Sequence, residues 1–298
     1  MKLKTASIII CMLVLALSGA ACGAAREASR GGKIVFDSNR AGDYPNIYIM
    51  QADGADVVRL TMEETADFAG PLSPDGTRIV FTRFGLTTSD IWVMNADGSD
   101  PIDLTDTPHI DEGFPAWSPD GQLLAYTTRR DGNNEIYVMN ADGSDVRRLT
   151  DNPADDFAPS WSPDGMRIAF SSDRDRSPGV YDILIMNADG SDVSRLTTGP
   201  ASDYTPDWSP DGSLIAFRGD EKGSSDIYVI GVDGTGLRDL TNNPADNWSP
   251  SWSPSGAQIA FQTNRDGNWE IYVMKADGRA LVNLTDNPAD DQRPFWGR

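Results

Sequence analysis

Cysteine is nearly absent from this chain: two occur in 298 residues, Cys11 and Cys22, both in or beside the apolar N-terminal segment. The rest of the chain therefore has no disulfide, no thiol nucleophile and no Cys-ligated metal. Histidine occurs once, at His109, and no G-x-S-x-G elbow is present. Hydrolysis of the Ser-His-Asp or Cys-His type is thus poorly supplied with a base and a nucleophile, and a zinc site with ligands. His109 itself falls in a polar stretch between repeats and reads as a surface loop residue. Basic side chains are also few, 25 Lys and Arg against 45 Asp and Glu, a net charge of −20. Nucleic acid is excluded as a partner, because a phosphate backbone is bound by clustered Lys and Arg. At 39% hydrophobic and 23% charged the composition is nonetheless that of a globular protein, and pervasive disorder is excluded.

Long apolar runs are missing too. Ile8 to Leu17 is apolar throughout, preceded by Lys2 and Lys4, and is too short for an ordinary membrane span. Residues 1–21 read as a signal peptide. Ser18-Gly19-Ala20-Ala21-Cys22 resembles a bacterial lipobox, which makes Cys22 the lipidated mature N-terminus and the lipid the only membrane attachment. Gly19 stands where lipoboxes usually carry Leu, so cleavage near Ala25 to give a soluble secreted protein is the alternative. Residues 22–31 form a short linker.

What the chain has in abundance is turns and repetition. Its 28 glycines and 19 prolines point to many short strands. W-S-P recurs at Trp117, Trp161, Trp208 and Trp252, with Leu72-Ser73-Pro74 before them and Trp296 after. A period in the forties built of strand signals predicts one propeller blade per repeat. In the copy from Asp155 to Leu196, strand one is Ala158 to Ser162, strand two Arg167 to Ser171, strand three Ile183 to Met186 and strand four Val193 to Leu196. Ser162-Pro163-Asp164-Gly165 and Asn187-Ala188-Asp189-Gly190 supply tight turns. Second strands begin at Ile34, Ile79, Leu124, Ile168, Ile215 and Ile259, which gives six blades. The first copy has no strand one, and the chain ends on an orphan strand one, Arg293-Pro294-Phe295-Trp296. An all-β, six-bladed propeller over residues 32–298 is predicted, its ring closed by the C-terminal strand, which removes exposed sheet edges. A monomer is expected.

Candidate functional residues follow from that geometry. Before the loop prolines stand Asp67, Asp111, Asp155, Asp203, Asp246 and Asp290, where innermost strands begin around the channel mouth. Six carboxylates there would form an acidic ring that binds a basic segment of a partner protein, with a divalent cation such as calcium as an alternative bridge. The competing reading is that each Asp caps its own turn. Phe157, Tyr204 and Trp248 share strand parity with Trp161, Trp208 and Trp252, which places them between blades. Arg40, Arg83, Arg129, Arg174, Arg218 and Arg265 follow second strands and face Asp90, Glu135, Asp182, Asp226 and Glu270 across hairpins, an arrangement expected to give exposed ion pairs of ~0–1 kcal/mol each. The N-A-D-G-S-D stretches fail as calcium loops. With Gly98 at the sixth position of an EF-hand frame, the first and twelfth are the apolar Val93 and Leu104.

W-S-P-D-G followed by I-A-F, E-I-Y-V-M-N-A-D-G-S-D and R-L-T resembles the repeat of TolB-like propellers, also called PD40 or WD40-like repeats. Family members named for TolB are periplasmic and bind envelope proteins such as the peptidoglycan-associated lipoprotein; together with the missing catalytic residues, the expectation is a non-catalytic envelope module without a cofactor, facing the periplasm or the cell exterior and binding an envelope protein. Family members named for TolB carry an α/β domain before the propeller, and here about nine residues separate Cys22 from Gly32, so that domain is expected to be missing. The same repeat gates prolyl-oligopeptidase-type enzymes. The alternative function is accordingly a propeller hydrolase or lyase, or a ligand or cation sensor, working in the central channel.

Overall fold

The computed structural model describes residues 32–221 and 223–297. The residues expected to form the signal peptide and the linker, Cys22 among them, lie outside the described residues. Those residues form 24 strands in six four-stranded antiparallel sheets. Five sheets take their strands in chain order; the fifth, for example, is β16 (Asp203–Trp208), β17 (Leu214–Gly219), β18 (Asp226–Gly231) and β19 (Arg238–Asp239). The first instead takes the last strand, β24 (Asp291–Trp296), as its innermost member beside β1 (Lys33–Ser38), β2 (Asn46–Gln51) and β3 (Val58–Arg59). Ile34 pairs with Trp296 and Ser38 with Asp291, so the ring closes between chain ends as the orphan strand implied.

Local chemistry sets each hairpin. In Trp117-Ser118-Pro119-Asp120-Gly121 the Ser118 hydroxyl donates to Asp120 at 2.6 Å, and the Gly121 amide donates to the Ser118 carbonyl at 2.9 Å with φ +71°. At Gly98, φ is +87° and a Cβ would lie 2.8 Å from the Leu60 carbonyl of the preceding blade, so both the backbone angle and the close approach require glycine.

Packing runs between blades. Trp117 joins Val80, Ile91 and Val93 of the second blade to Leu124, Tyr126 and Met139 of the third. Trp296 does the same across the seam, with Ala260, Ile271 and Val273 of the sixth blade and Ile34, Phe36 and Tyr48 of the first. Third strands such as Glu135–Asn140 are buried along nearly their whole length, as expected for sheets covered on both faces.

Innermost strands depart from the sequence reading in one instructive way. In the fourth blade Phe157 pairs with Ser171 but Ser160 with Ala169, a one-residue bulge, and Ala158 takes φ +54°. Phe114, Thr205, Ser249 and Arg293 occupy the equivalent positive-φ positions. A one-residue insertion inverts the side-chain alternation beyond it. The strand therefore starts at Asp156, ahead of the expected Ala158, and Phe157 and Trp161 do not share a face.

Candidate functional site

Because of the bulge, Phe157, Tyr204 and Trp248 turn away from the inter-blade cores that hold Trp161, Trp208 and Trp252 and line the central channel, a cavity of about 810 Å³. All three are half-buried, and Phe114 is 52% exposed. Their assignment to inter-blade packing is thus corrected. Together they build a belt at the channel mouth. Phe114 lies 5.9 Å from Phe157, which lies 6.3 Å from Tyr204, ring centre to ring centre. The Arg218 guanidinium bridges Tyr204 and Trp248 at 4.7 and 4.4 Å, and Arg293 stacks on Phe68 at 3.7 Å.

The six aspartates expected to ring the opening occupy two different positions. Asp67 and Asp203 are the first residues of their strands and are buried, 0% and 5% exposed. Asp111, Asp155, Asp246 and Asp290 stand one residue earlier, outside the strand. Counting back from the loop proline mixed the two sets: Pro71 directly precedes Leu72 whereas the other prolines precede their Trp by two residues, which brought in Asp67, and Asp203 was taken one position later than the others because Ser202 stands at the equivalent place. Three of the outer set are tied to the blade before them: the amides of Asn134, Ser225 and Trp269 donate to Asp155, Asp246 and Asp290 at 2.8, 3.1 and 3.0 Å. They fasten neighbouring blades, a role close to the capping alternative. Asp111 is exposed and lines the channel. The six do not converge on one point. Among the described residues no group of three or more His, Cys, Asp and Glu side chains is placed to hold a metal ion.

The residues that open the six innermost strands are Asp67, Glu112, Asp156, Asp203, Asn247 and Asp291, each 5% exposed or less. Arginines neutralise four of the five acids in this set: Arg83–Asp67 at 2.7 Å, Arg130–Glu112 at 2.8 Å, Arg174–Asp156 at 2.7 Å and Arg40–Asp291 at 2.7 Å. Arg265 donates to Asn247 at 3.0 Å. These contacts replace the exposed hairpin pairs expected from sequence. The arginines reach inward to the innermost strand, in the third blade through Arg130 rather than Arg129, while Glu135 and Asp182 of third strands take Arg148 and Arg195 from the fourth. With the carboxylates inside the protein, each pair holds a buried charge, and loss of one partner is far costlier than for a surface pair. His109 is exposed on its loop, with φ +65°.

Residues 72–184 match the family described as the TolB beta propeller domain. Over that stretch the chain resembles TolB propellers. Over 50 residues it is 50% identical to the Tol-Pal system protein TolB of Anaeromyxobacter dehalogenans (strain 2CP-C), a stretch that is 17% of this chain and 11% of that relative. The crystal structure of TolB from Acinetobacter baumannii superposes with a TM-score of 0.80 at 22% identity, covering 94% of this chain and 71% of that one. An oligogalacturonate lyase in complex with manganese superposes with a TM-score of 0.59 at 18% identity over 87% of this chain and 76% of the lyase. Likeness at such identities speaks to the fold alone.

Proposed function

We propose that this TolB-like propeller is a non-catalytic interaction module of the bacterial cell envelope, exported by its N-terminal segment, anchored through lipid on Cys22, and capturing a partner protein at its channel mouth. The observation that carries this reading is the aromatic belt. Half-exposed Phe, Tyr and Trp side chains with interleaved arginines are the residue types that dominate protein–protein hot spots, and strand starts from successive blades present them to one partner at once. Charge plays a smaller part than the sequence suggested. Arg218 is balanced by Asp220 at 2.9 Å and Arg293 by Asp37 at 2.6 Å, and most mouth acids are tied to arginine or backbone. A partner segment with apolar side chains fits this surface better than a purely basic one.

Replacing Phe157 and Trp248 together by Ala tests the reading. Capture of envelope partners from detergent-solubilised membranes should fall about tenfold or more, with thermal stability little changed. Loss of capture in an Asp111→Asn, Asp155→Asn, Asp246→Asn variant instead, with salt-sensitive binding in the parent, would return recognition to the aspartates. The anchor is tested separately: Cys22→Ser should move the protein from the membrane to the soluble fraction.

A second reading has one observation in its favour. The mouth couples aromatic faces to guanidinium groups, a surface that also suits an anionic sugar, and the lyase shares the fold. Turnover in a hydrolase and lyase screen, lost on replacing one channel residue, would establish it.

A further inference from the structure

The fifth blade breaks a pattern that the others keep. In the first, an arginine two residues beyond the second strand, Arg40, donates to buried Asp291 and to the Ser38 hydroxyl, and covers the stacked pair Phe36 and Tyr48 at 5.3 and 5.1 Å. In the sixth, Arg265 likewise meets Asn247 and Thr263 and covers Phe261 and Tyr272. Arg130 and Arg174 repeat the arrangement, and Arg83 reaches the same place from within its strand. In the fifth blade the aromatic pair is kept, Phe217 and Tyr228 stacked at 5.7 Å and 20°, and so is the acid, Asp203. Gly219, however, replaces the hydroxyl residue and Glu221 stands where the arginine belongs.

The place of the guanidinium is a cavity of about 190 Å³, lined by Thr197, Asp203, Phe217, Glu221 and Tyr228. It lies on the flank of the ring between the fourth and fifth blades, apart from the mouth belt. Tyr228 is 3% exposed, and its hydroxyl has no hydrogen-bond partner among the described residues. The equivalent Tyr137 and Tyr272 hydroxyls donate to Asp131 and Asp266. Leaving a buried hydroxyl unpaired costs ~1–3 kcal/mol, and a ligand that offers a donor there relieves it.

We propose that this cavity binds an alkylguanidinium group, which takes the place that the chain's own arginine fills in the other blades. The guanidinium lies over the Phe217 and Tyr228 rings, as cations do on aromatic faces. Its N–H groups donate to the carboxylates of Asp203 and Glu221, in the geometry that a planar fork suits, and one reaches the Tyr228 hydroxyl. Glu221 is exposed, so the alkyl stem leaves the cavity on its side toward solvent. The Thr197 hydroxyl hydrogen-bonds Asp203, and the charged groups that face it are Asp182 and Glu221, with Arg176 more weakly opposed; Asp182 is itself paired with Arg195 at 2.8 Å, which leaves Glu221 as the unbalanced charge beside it. Burial is the main cause that pushes the Asp203 carboxyl up to about 7, with Asp182 and Glu221 adding to it, and a bound cation draws it down again.

Titration calorimetry with agmatine tests the site, with N-butylurea as the neutral isostere, cadaverine as the ammonium and calcium chloride as the metal. Agmatine is expected to bind one-to-one at pH 8, at least tenfold more weakly at pH 5.5, and at least tenfold more tightly than the other three. Asp203→Asn should weaken it tenfold or more, and remains foldable because Asn247 occupies this register position in the sixth blade. Glu221→Arg supplies an internal guanidinium and should abolish agmatine binding while raising the melting temperature. A blocked Gly-Arg-Gly peptide separates the sources: binding as tight as agmatine's assigns the site to an arginine of a partner protein, and much weaker binding assigns it to a free small molecule. No agmatine binding at pH 8, equal binding by Glu221→Arg and the parent, or preference for calcium would overturn the proposal.

Discussion

Removing the last strand should open the ring. Trp296 is 4% exposed and packs between the sixth and first blades, so Trp296→Ala is expected to cost about 3–5 kcal/mol. Ending the chain at residue 290 removes more. β1 loses its ladder partner, and both cross-seam ion pairs go, Arg40–Asp291 at 2.7 Å and Arg293–Asp37 at 2.6 Å. Asp37 is 1% exposed, and burial already pushes its carboxyl up against the pull of Arg293. Without that arginine a further ~3–5 kcal/mol is lost. The truncation thus approaches the ~5–15 kcal/mol that separates folded from unfolded states of a whole protein. Urea unfolding followed by tryptophan fluorescence is the assay. Trp296→Ala should lower the midpoint by about 1–2 M, and the truncated chain should show no cooperative transition until a peptide of residues 289–297 is added in trans. A truncated chain that unfolds at the full-length midpoint would refute the seam.

Three further outcomes follow from particular contacts. The folded state keeps a proton on Asp203, pushed up from 3.8 to about 7, that the unfolded chain releases, so stability should fall as pH rises from about 4 to about 7. Asp203→Asn should flatten that fall, on the order of a few kcal/mol, in pH-dependent urea titrations. Arg83→Ala leaves the buried Asp67 carboxylate unpaired and should cost about 3–5 kcal/mol, with much of the loss recovered when Asp67→Asn is added; a double-mutant cycle with no coupling would contradict the pairing. Gly98→Ala and Gly76→Ala both place alanine at positive φ, +87° and +71°, but only the first meets backbone, the Leu60 carbonyl at 2.8 Å. Gly98→Ala should therefore lower the melting temperature clearly more than Gly76→Ala.

The sequence alone carried the architecture of this protein, because a propeller is written in local, repeated signals. Ser-Pro-Asp-Gly turns, apolar third strands and the orphan Trp296 each specify geometry within a few residues, and six copies leave one blade count and one way to close. Side-chain direction around the mouth was beyond it. A single bulged residue at Ala158 reverses the alternation on which parity arguments rest, so Phe157 lines the channel while Trp161 enters the core. Charge pairing was hidden for a related reason. Arg40 and Asp291 are 251 residues apart, and whether an arginine turns to the third strand or the first depends on where a buried carboxylate awaits it. The vacancy at Asp203 had a signal in the sequence, Gly219 and Glu221 where four of the other repeats carry a hydroxyl residue and arginine. Only the folded protein showed that those positions meet over the faces of Phe217 and Tyr228, since what converts a repeat's exception into a cavity is the packing of its neighbours around the missing side chain.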